Sequence, residues 1–381
     1  MKVSILQENL SKGLNIVSRF ILPKAQLPIL NNFLIKTEEG RLKLSATNLE
    51  IGINLWLGVK IENEGEICVP ARNLTEYISL LPPQKINLET EKNLLKVSSE
   101  SYEASFVGLS TSEFPLIPTL NKKPEIYLKN KDFSSAISQV AFAAAQDEGR
   151  PVLNGVLFKI KKEKLILVAT DGFRLSLKEI SGLKNNKEID SSQDLIIPTR
   201  ALVEVGKIIG EIKSENDLGL TITPESNQII FSTPEIEVIS RLIEGKFPDF
   251  EKIIPQKTKT QITVETEGLL QAVRAASIFA REAANIIKFE INISGGKQET
   301  AKLKISANNP QLGENKVNLE ARGEGEGGKI AFNSRYLLDF LNSVKSDLVS
   351  FEMTTSLNPG VFKPVNDNSY LHIIMPIRIQ E

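Results

Sequence analysis

At 381 residues the chain exceeds what one ordinary hydrophobic core serves and suits two or three domains of about 100 to 200 residues each. Hydrophobic residues make up 41% and charged residues 24%, the balance of a soluble globular chain and not of a disordered one. With 46 basic against 47 acidic side chains the net charge is −1, so no bulk basic excess announces a nucleic-acid partner and any basic surface has to be local. Cys68, the one cysteine, excludes an intrachain disulfide and a cysteine zinc cage; His372, the one histidine, leaves no histidine-rich metal site and argues against a His-dependent triad. Neither a metal nor a cofactor is expected.

The opening MKVSILQENL has no long apolar stretch, and no run of 18 apolar residues occurs anywhere. Neither a signal peptide nor a membrane span is expected, and the cytoplasm is the expected location. The first element is an amphipathic helix over about 7–21, with Leu10, Leu14, Val17 and Ile21 on its buried stripe and Lys12, Asn15 and Arg19 opposite. KLSATNLEIGI (43–53) reads as an alternating strand broken by an Asn turn, and Cys68 falls in an apolar strand where it serves as a core thiol. VPARNLTEYISLLP (69–82) then joins a strand ending in proline to a helix opened by Arg72.

The same landmarks return. A helix over 131–146, uncharged within FSSAISQVAFAAAQ, precedes ILVATDGFRLSL (166–177) and IPTRALVEVGKIIG (197–210), where Arg200 opens the helix. A helix over 266–282, with Leu269, Val273 and Ala276 inside and Arg274, Ser277 and Arg281 outside, precedes KISANNPQLGE (304–314) and AFNSRYLLDFLNSV (331–344), opened by Arg335. EFP (113–115) is matched by KFP (246–248), and the Pro- and Lys-containing stretches 117–128 and 253–264 have the composition of linkers. Internal triplication follows, with domains at 1–122, 123–256 and 257–381, each α+β with two helices and seven or more short antiparallel strands.

Each second helix carries a polar line: Arg72, Glu76, Ser79; Arg200, Glu204, Lys207; Arg335, Asp339, Asn342. Taken singly, such a line is an ordinary solvated face. Repeated around an axis, the lines converge. Six helices about 10 Å wide leave too narrow a hole for a DNA duplex, whereas twelve give a circumference of ~120 Å, a diameter near ~38 Å and an opening of roughly 28 Å. A duplex about 20 Å across passes through the larger ring, so two copies are required.

SKGLNIVSRFILPKAQLPIL, VPAR, LNGVLF, ATDGFRLSL, SRLIEGKFPDF and YLHIIMPIRI, in order along essentially the whole chain, resemble the bacterial β sliding clamp family, the DNA polymerase III beta subunits. The resemblance implies a head-to-tail homodimer ring of six similar domains with helices lining the hole and sheets outside. It implies a non-catalytic processivity factor that encircles double-stranded DNA without reading its sequence. The implied partners are the polymerase III alpha subunit, a clamp loader ATPase, and other DNA polymerases and repair proteins bearing clamp-binding peptides.

The resemblance places DNA contacts at Lys24, Arg72 and Gln146, to which the helix faces add Lys12, Arg19, Arg200, Arg274 and Arg281. It implies a pocket between the second and third domains for an extended peptide carrying apolar residues and a glutamine. The lining carried over is Leu153, Thr170, Gly172, Phe173, Arg174, Leu175, Pro248, Lys252, Ile253, Ile373, Met375, Pro376, Ile377 and Arg378. Phe173 stands where the family often has histidine and Lys252 where it often has arginine, which puts peptide preference in doubt because an ammonium lacks the guanidinium fork. Ile278 and Phe279 match apolar positions of the subunit interface, with the strand around 101–109, including Leu109, as their partner on the other copy.

GEGEGG (323–328) satisfies G-x-G-x-x-G, but a strand and not a helix follows and its glutamates repel phosphate, so it reads as a hairpin loop. No Walker A sequence occurs, so a separate loader is implied. A carboxylate-dependent hydrolase finds no recurring acidic cluster beside other catalytic groups. A repeat scaffold that binds no nucleic acid stays open as the alternative.

Overall fold

The computed structural model describes residues 1–22, 27–120, 122–147, 149–185, 194–211, 217–223, 227–294 and 300–378. Among the described residues six α-helices occur: α1 Gln7–Ser18, α2 Ala71–Leu80, α3 Asn130–Val140, α4 Thr199–Glu211, α5 Thr266–Ala280 and α6 Ser334–Ser343. The chain forms two compact units, one of Met1–Lys131, Lys184–Glu188 and Glu204–Leu242, the other of Asp132–Leu183, Ile189–Val203 and Ile243–Glu381.

In the first unit a five-stranded antiparallel sheet runs in the order Lys60–Asn63, Lys2–Leu6, Lys85–Glu91, Leu94–Ser98, Glu103–Val107. A nine-stranded sheet beside it ends in Ile236–Arg241, Ile51–Gly58, Arg41–Thr47, Asn32–Glu38 and Glu66–Pro70. The second unit holds one twelve-stranded sheet, in which Tyr370–Ile374 lies on Arg174–Ser181 and Thr260–Glu265 leads to Gly313–Gly325, Thr300–Asn309, Ile286–Ser294 and Gly328–Asn333.

The repeated sequence becomes repeated geometry. Asn48 Oδ1 accepts from the amides of Glu50 and Ile51, Asp171 Oδ1 from Phe173 and Arg174, and Asn309 Oδ1 from Gln311 and Leu312. These three Asx turns are the Asn/Asp breaks expected in the alternating strands. The strand before each second helix is a sheet edge ending at Pro70, Pro198 or Asn333, opposite Asn32, Gly155 and Ile286. Proline is tolerated there because an edge strand does not need every N–H.

The cores are filled by the inward stripes. Leu10, Leu14 and Val17 of α1 and Leu74 and Ile78 of α2 are buried in the first unit. In the second, Phe332 meets Phe289, Phe351 and Phe362 edge-on with ring centroids 5.6–5.8 Å apart. Cys68 is fully buried, and desolvation pushes its thiol up to about 12.

Four expectations need correction. α1 stops at Ser18, so the fully buried Phe20, not the half-buried Ile21, completes the apolar lid beyond it. α3 ends at Val140 and a 3-10 turn follows over Ala141–Ala143, because the Ala145 amide leaves the helical path to donate to Leu153 O at 2.9 Å. Gln146 is therefore exposed coil beyond the helix. The two linker stretches end in sheet strands, Ile126–Leu128 and Thr260–Glu265. GEGEGG is no hairpin: Gly313–Gly325 and Gly328–Asn333 are not neighbours, and the latter pairs with Ile286–Ser294. Positive φ at Gly325 (110°) and Gly327 (70°) makes the corner, and a Cβ on either would strike backbone oxygen of Lys259 or Ile291.

His372 is a core residue, stacked on Phe340 at 5.3 Å and 12°, with Ser176 Oγ 2.6 Å from its Nδ1. Burial holds it neutral, its pKa lowered from 6.5 to about 3. The unfolded chain takes up a proton below 6.5 that the folded one refuses, so this contribution is complete above pH 6.5 and is lost as pH falls toward 3. Its slope reaches up to about 1.4 kcal/mol per pH unit. Urea unfolding at pH 7 and pH 5 should show a smaller loss of stability in His372→Asn than in the parent chain; equal losses would refute the assignment.

Candidate functional site

A single type of joint recurs where one repeat meets the next. Ile236–Arg241, the last strand of the middle repeat, lies antiparallel on Ile51–Gly58 of the first, with Ile236 opposite Leu55 and Ser240 opposite Ile51. Tyr370–Ile374, the last strand of the third repeat, lies on Arg174–Ser181 of the middle one, with Tyr370 opposite Lys178 and Ile374 opposite Arg174. Each joint is a sheet continued through backbone hydrogen bonds, which any strand of compatible register can supply. The joint of the first unit is further tied down by Leu120 N–H donating to Glu237, whose carboxyl is raised above its ordinary value by burial.

The helical cations occupy varied settings. Lys12, Arg72, Arg200 and Arg281 are exposed on their helices or at their ends. Arg19 is half-buried and forked onto both oxygens of Glu211 at 2.9 and 3.0 Å, and Arg274 donates to Asn342 at 2.9 Å. Ser11 of α1 and Ser79 of α2 lie 3.3 Å apart, as Arg274 of α5 and Asn342 of α6 meet in the third repeat. In both pairs the polar faces therefore share one side. Between α1 and α2 that side holds a groove of about 750 Å³ lined by Asn15, Ser18, Arg72, Asn73, Glu76 and Ser79. Lys24 lies outside the described residues, and Gln146 is exposed.

The fourteen residues of the expected peptide pocket all belong to the second unit, in four segments. Leu175 and Ile373 are paired across the joint and buried in one cluster with Phe247 and Phe250, against which Val152 and Ile254 also pack. Thr170 and Leu153 are buried as well. Above the floor stand exposed apolar groups: Phe173 at 59%, Met375 at 39% and Ile253 at 36%. Met375 N–H donates to Phe173 O at 2.8 Å, and Ile377 N–H to Ala331 O at 2.9 Å, which fixes the C-terminal wall that includes Pro376. Pro248, Lys252 and Arg378 are exposed, and Lys252 Nζ is 2.7 Å from Asp249, which raises the lysine pKa. Gly172 sits at φ +90°, where a Cβ would press on Arg150.

Arg174 is held within the structure and does not project as a free charge. Its guanidinium is largely buried, donating to Asp171, Asp339 and Phe142 O, and it stacks on Tyr336 at 4.5 Å. Sequence reading did not find Tyr336 and Asp339 as its partners, although Asp339 had been placed on a polar helix line. At the expected interface, Ile278 is 55% exposed, Phe279 is packed on the third-repeat core, and Leu109 is 46% exposed while its N–H donates to Cys68 O. Among the described residues no group of His, Cys, Asp and Glu is placed to hold a metal ion, and no helix is long and apolar enough to cross a membrane.

Three family models match in succession: the DNA polymerase III beta subunit N-terminal domain over residues 1–118, its central domain over 127–249 and its C-terminal domain over 251–378. The beta sliding clamps of Staphylococcus aureus and Staphylococcus epidermidis are each 30% identical over 388 aligned residues, covering 99% of both chains. Among solved structures, the DNA polymerase sliding clamp of Bacillus subtilis is similar at a TM-score of 0.91 and the DNA polymerase III beta subunit of Thermotoga maritima at 0.89. Each is 27% identical and covers 100% of both chains. Triplicated fold, sheet joints and full-length matches agree: the chain belongs to the DNA polymerase III beta subunit family, the bacterial sliding clamps.

Proposed function

We propose that this chain acts in replication as a DNA sliding clamp that closes around the duplex as a head-to-tail pair and tethers partner proteins through the pocket built on Arg174–Ser181 and Tyr370–Ile374. It is a non-catalytic processivity subunit. The observation that carries the pairing is a third joint left open. The last strand of the first repeat, Glu103–Val107, is a sheet edge. Gly313–Gly325 pairs on one side with Thr300–Asn309, while on the other only 322–325 meet Thr260–Glu265. By position in the repeat, these are the two strands that join elsewhere.

The register follows from the repeats. Leu109, Ile243 and Ile377 each donate an amide to the strand preceding a second helix, at Cys68, Ile196 and Ala331. Three residues earlier stand Phe106, Ser240 and Ile374. The Asx turns likewise equate Ile51, Arg174 and Leu312. Ser240 faces Ile51 and Ile374 faces Arg174, so Phe106 of one copy faces Leu312 of the next, and Tyr102 faces Lys316. Leu312 and Tyr102 are 55% and 46% exposed, and Ile278, Phe279 and Leu109 supply further apolar cover beside this seam.

Once closed, such a ring needs many weak phosphate contacts and no base contacts. Lys12, Arg72, Arg200 and Arg281, with Arg19 and Arg274 partly engaged by Glu211 and Asn342, are the proposed cationic contacts, joined by the neutral amide of Gln146 and, from its place in the sequence, by Lys24. The pocket's apolar rim of Phe173, Ile253 and Met375 suits an extended peptide with apolar side chains, and Met375 adapts to different ones. Polymerase III alpha subunit, other DNA polymerases and repair proteins are the proposed tethered partners, a separate ATPase the loader, and the cytoplasm the compartment.

After loading, the protein should stay on nicked circular DNA through a salt wash and leave once the circle is cut; equal loss from both forms would overturn topological binding. Tyr102→Cys with Lys316→Cys should cross-link into a species near 84 kDa, twice 42.2 kDa, while Tyr102→Cys with Val317→Cys should not. A 42 kDa band alone under oxidation would reject the register. Lys24→Ala with Arg72→Ala should lower duplex affinity at low salt by about tenfold with the thermal midpoint unchanged; unaltered titration would remove these two residues from the DNA face.

A further inference from the structure

Asp339 lies on the polar line of α6, beyond the expected pocket lining, and its side chain is 44% exposed. Its carboxylate receives one arm of the Arg174 guanidinium. The other arms are taken by Phe142 O at 2.7 Å and Asp171 Oδ2 at 3.0 Å. Asp171 is the residue that shapes the pocket turn, because its second oxygen accepts the amides of Phe173 and Arg174, both at 2.9 Å. Thr170 closes the turn from the other side, donating to Arg174 O at 2.6 Å and accepting from Gly172 N–H at 3.1 Å. Phe173 O then anchors Met375.

A continuous chain of charge-assisted and backbone hydrogen bonds therefore runs from α6 to two of the three exposed apolar groups of the pocket, Phe173 and Met375. Among the described residues Arg174 is the only cation bonded within it, facing two carboxylates and set over the rings of Tyr336 and Phe142 with 10% of its side chain exposed. In so dry a setting the plane of the guanidinium is set by its partners, and removing one leaves the rest to reorient. We infer that Asp339 is a positioning residue for the peptide pocket: through Arg174 and Asp171 it sets the turn that presents Phe173 and Met375. The inference rests on the pocket reading above.

The test uses the full-length chain and two readouts. Amide hydrogen exchange should quicken at Phe173, Arg174 and Met375 in Asp339→Ala and return toward the parent rate in Asp339→Glu, with thermal midpoints alike; unchanged exchange at all three amides overturns the inference whether or not any peptide binds. Fluorescence anisotropy with a labelled Gln-Leu-Ala-Leu-Phe peptide should show about tenfold weaker binding in Asp339→Ala and recovery in Asp339→Glu. Affinity within twofold of the parent also overturns it. A parent chain that ignores the peptide while its variants show the exchange change would instead reject the pocket reading and leave the role of Asp339 in shaping the turn supported.

Discussion

A strand at the rim of a sheet exposes a row of N–H and C=O groups that must find a partner or remain solvated, and this requirement organises the molecule. Twice the chain meets it by laying the last strand of one repeat on the strand after the Asx turn of the preceding repeat. The joints use backbone bonds, so their side chains are free to differ: Ser240 faces Ile51 in one, Ile374 faces Arg174 in the other. The same antiparallel pairing is therefore kept at both joints while the side chains facing each other differ.

The second joint has acquired more than a seam. Its paired strands bury Leu175 and Ile373 as a hydrophobic floor, and the turn leading into it lifts Phe173 into solvent beside Met375. In the first joint the corresponding place is dressed by the chain itself: Ile117 packs at Gly52, and Asn54 donates to Pro118 O. In the second joint the matching segment also packs on the seam, through Phe247, Phe250 and Ile254, yet Phe173 and Met375 stay exposed beside it.

Much of this was legible in the sequence because repeated spacing is robust. Proline before Arg72 and Arg200, the Asn or Asp after each alternating strand, and the apolar stripes of the helices all report backbone requirements that tolerate few substitutes. Helix ends were less legible: alanines 141 and 143–145 favour helix, yet the chain leaves it so that they can fill buried space. The GEGEGG corner misled because glycine pairs signal a turn without saying which strand comes next. The engagement of Arg174 was hidden for another reason. Tyr336 and Asp339 are 162 and 165 positions away, and a polar residue on a helix face looks the same whether it meets water or a guanidinium.

The burial of Cys68 carries a practical corollary. Its thiol, held near pH 12 by its apolar surroundings and pinned beside Leu109 through main-chain bonds, has almost no thiolate at neutral pH. Cys68 is consequently a poor target for mild oxidants and alkylating dyes in the folded chain. Any thiol engineered onto its exterior becomes the lone chemical handle, ready for fluorophores or surface attachment without first stripping the native residue.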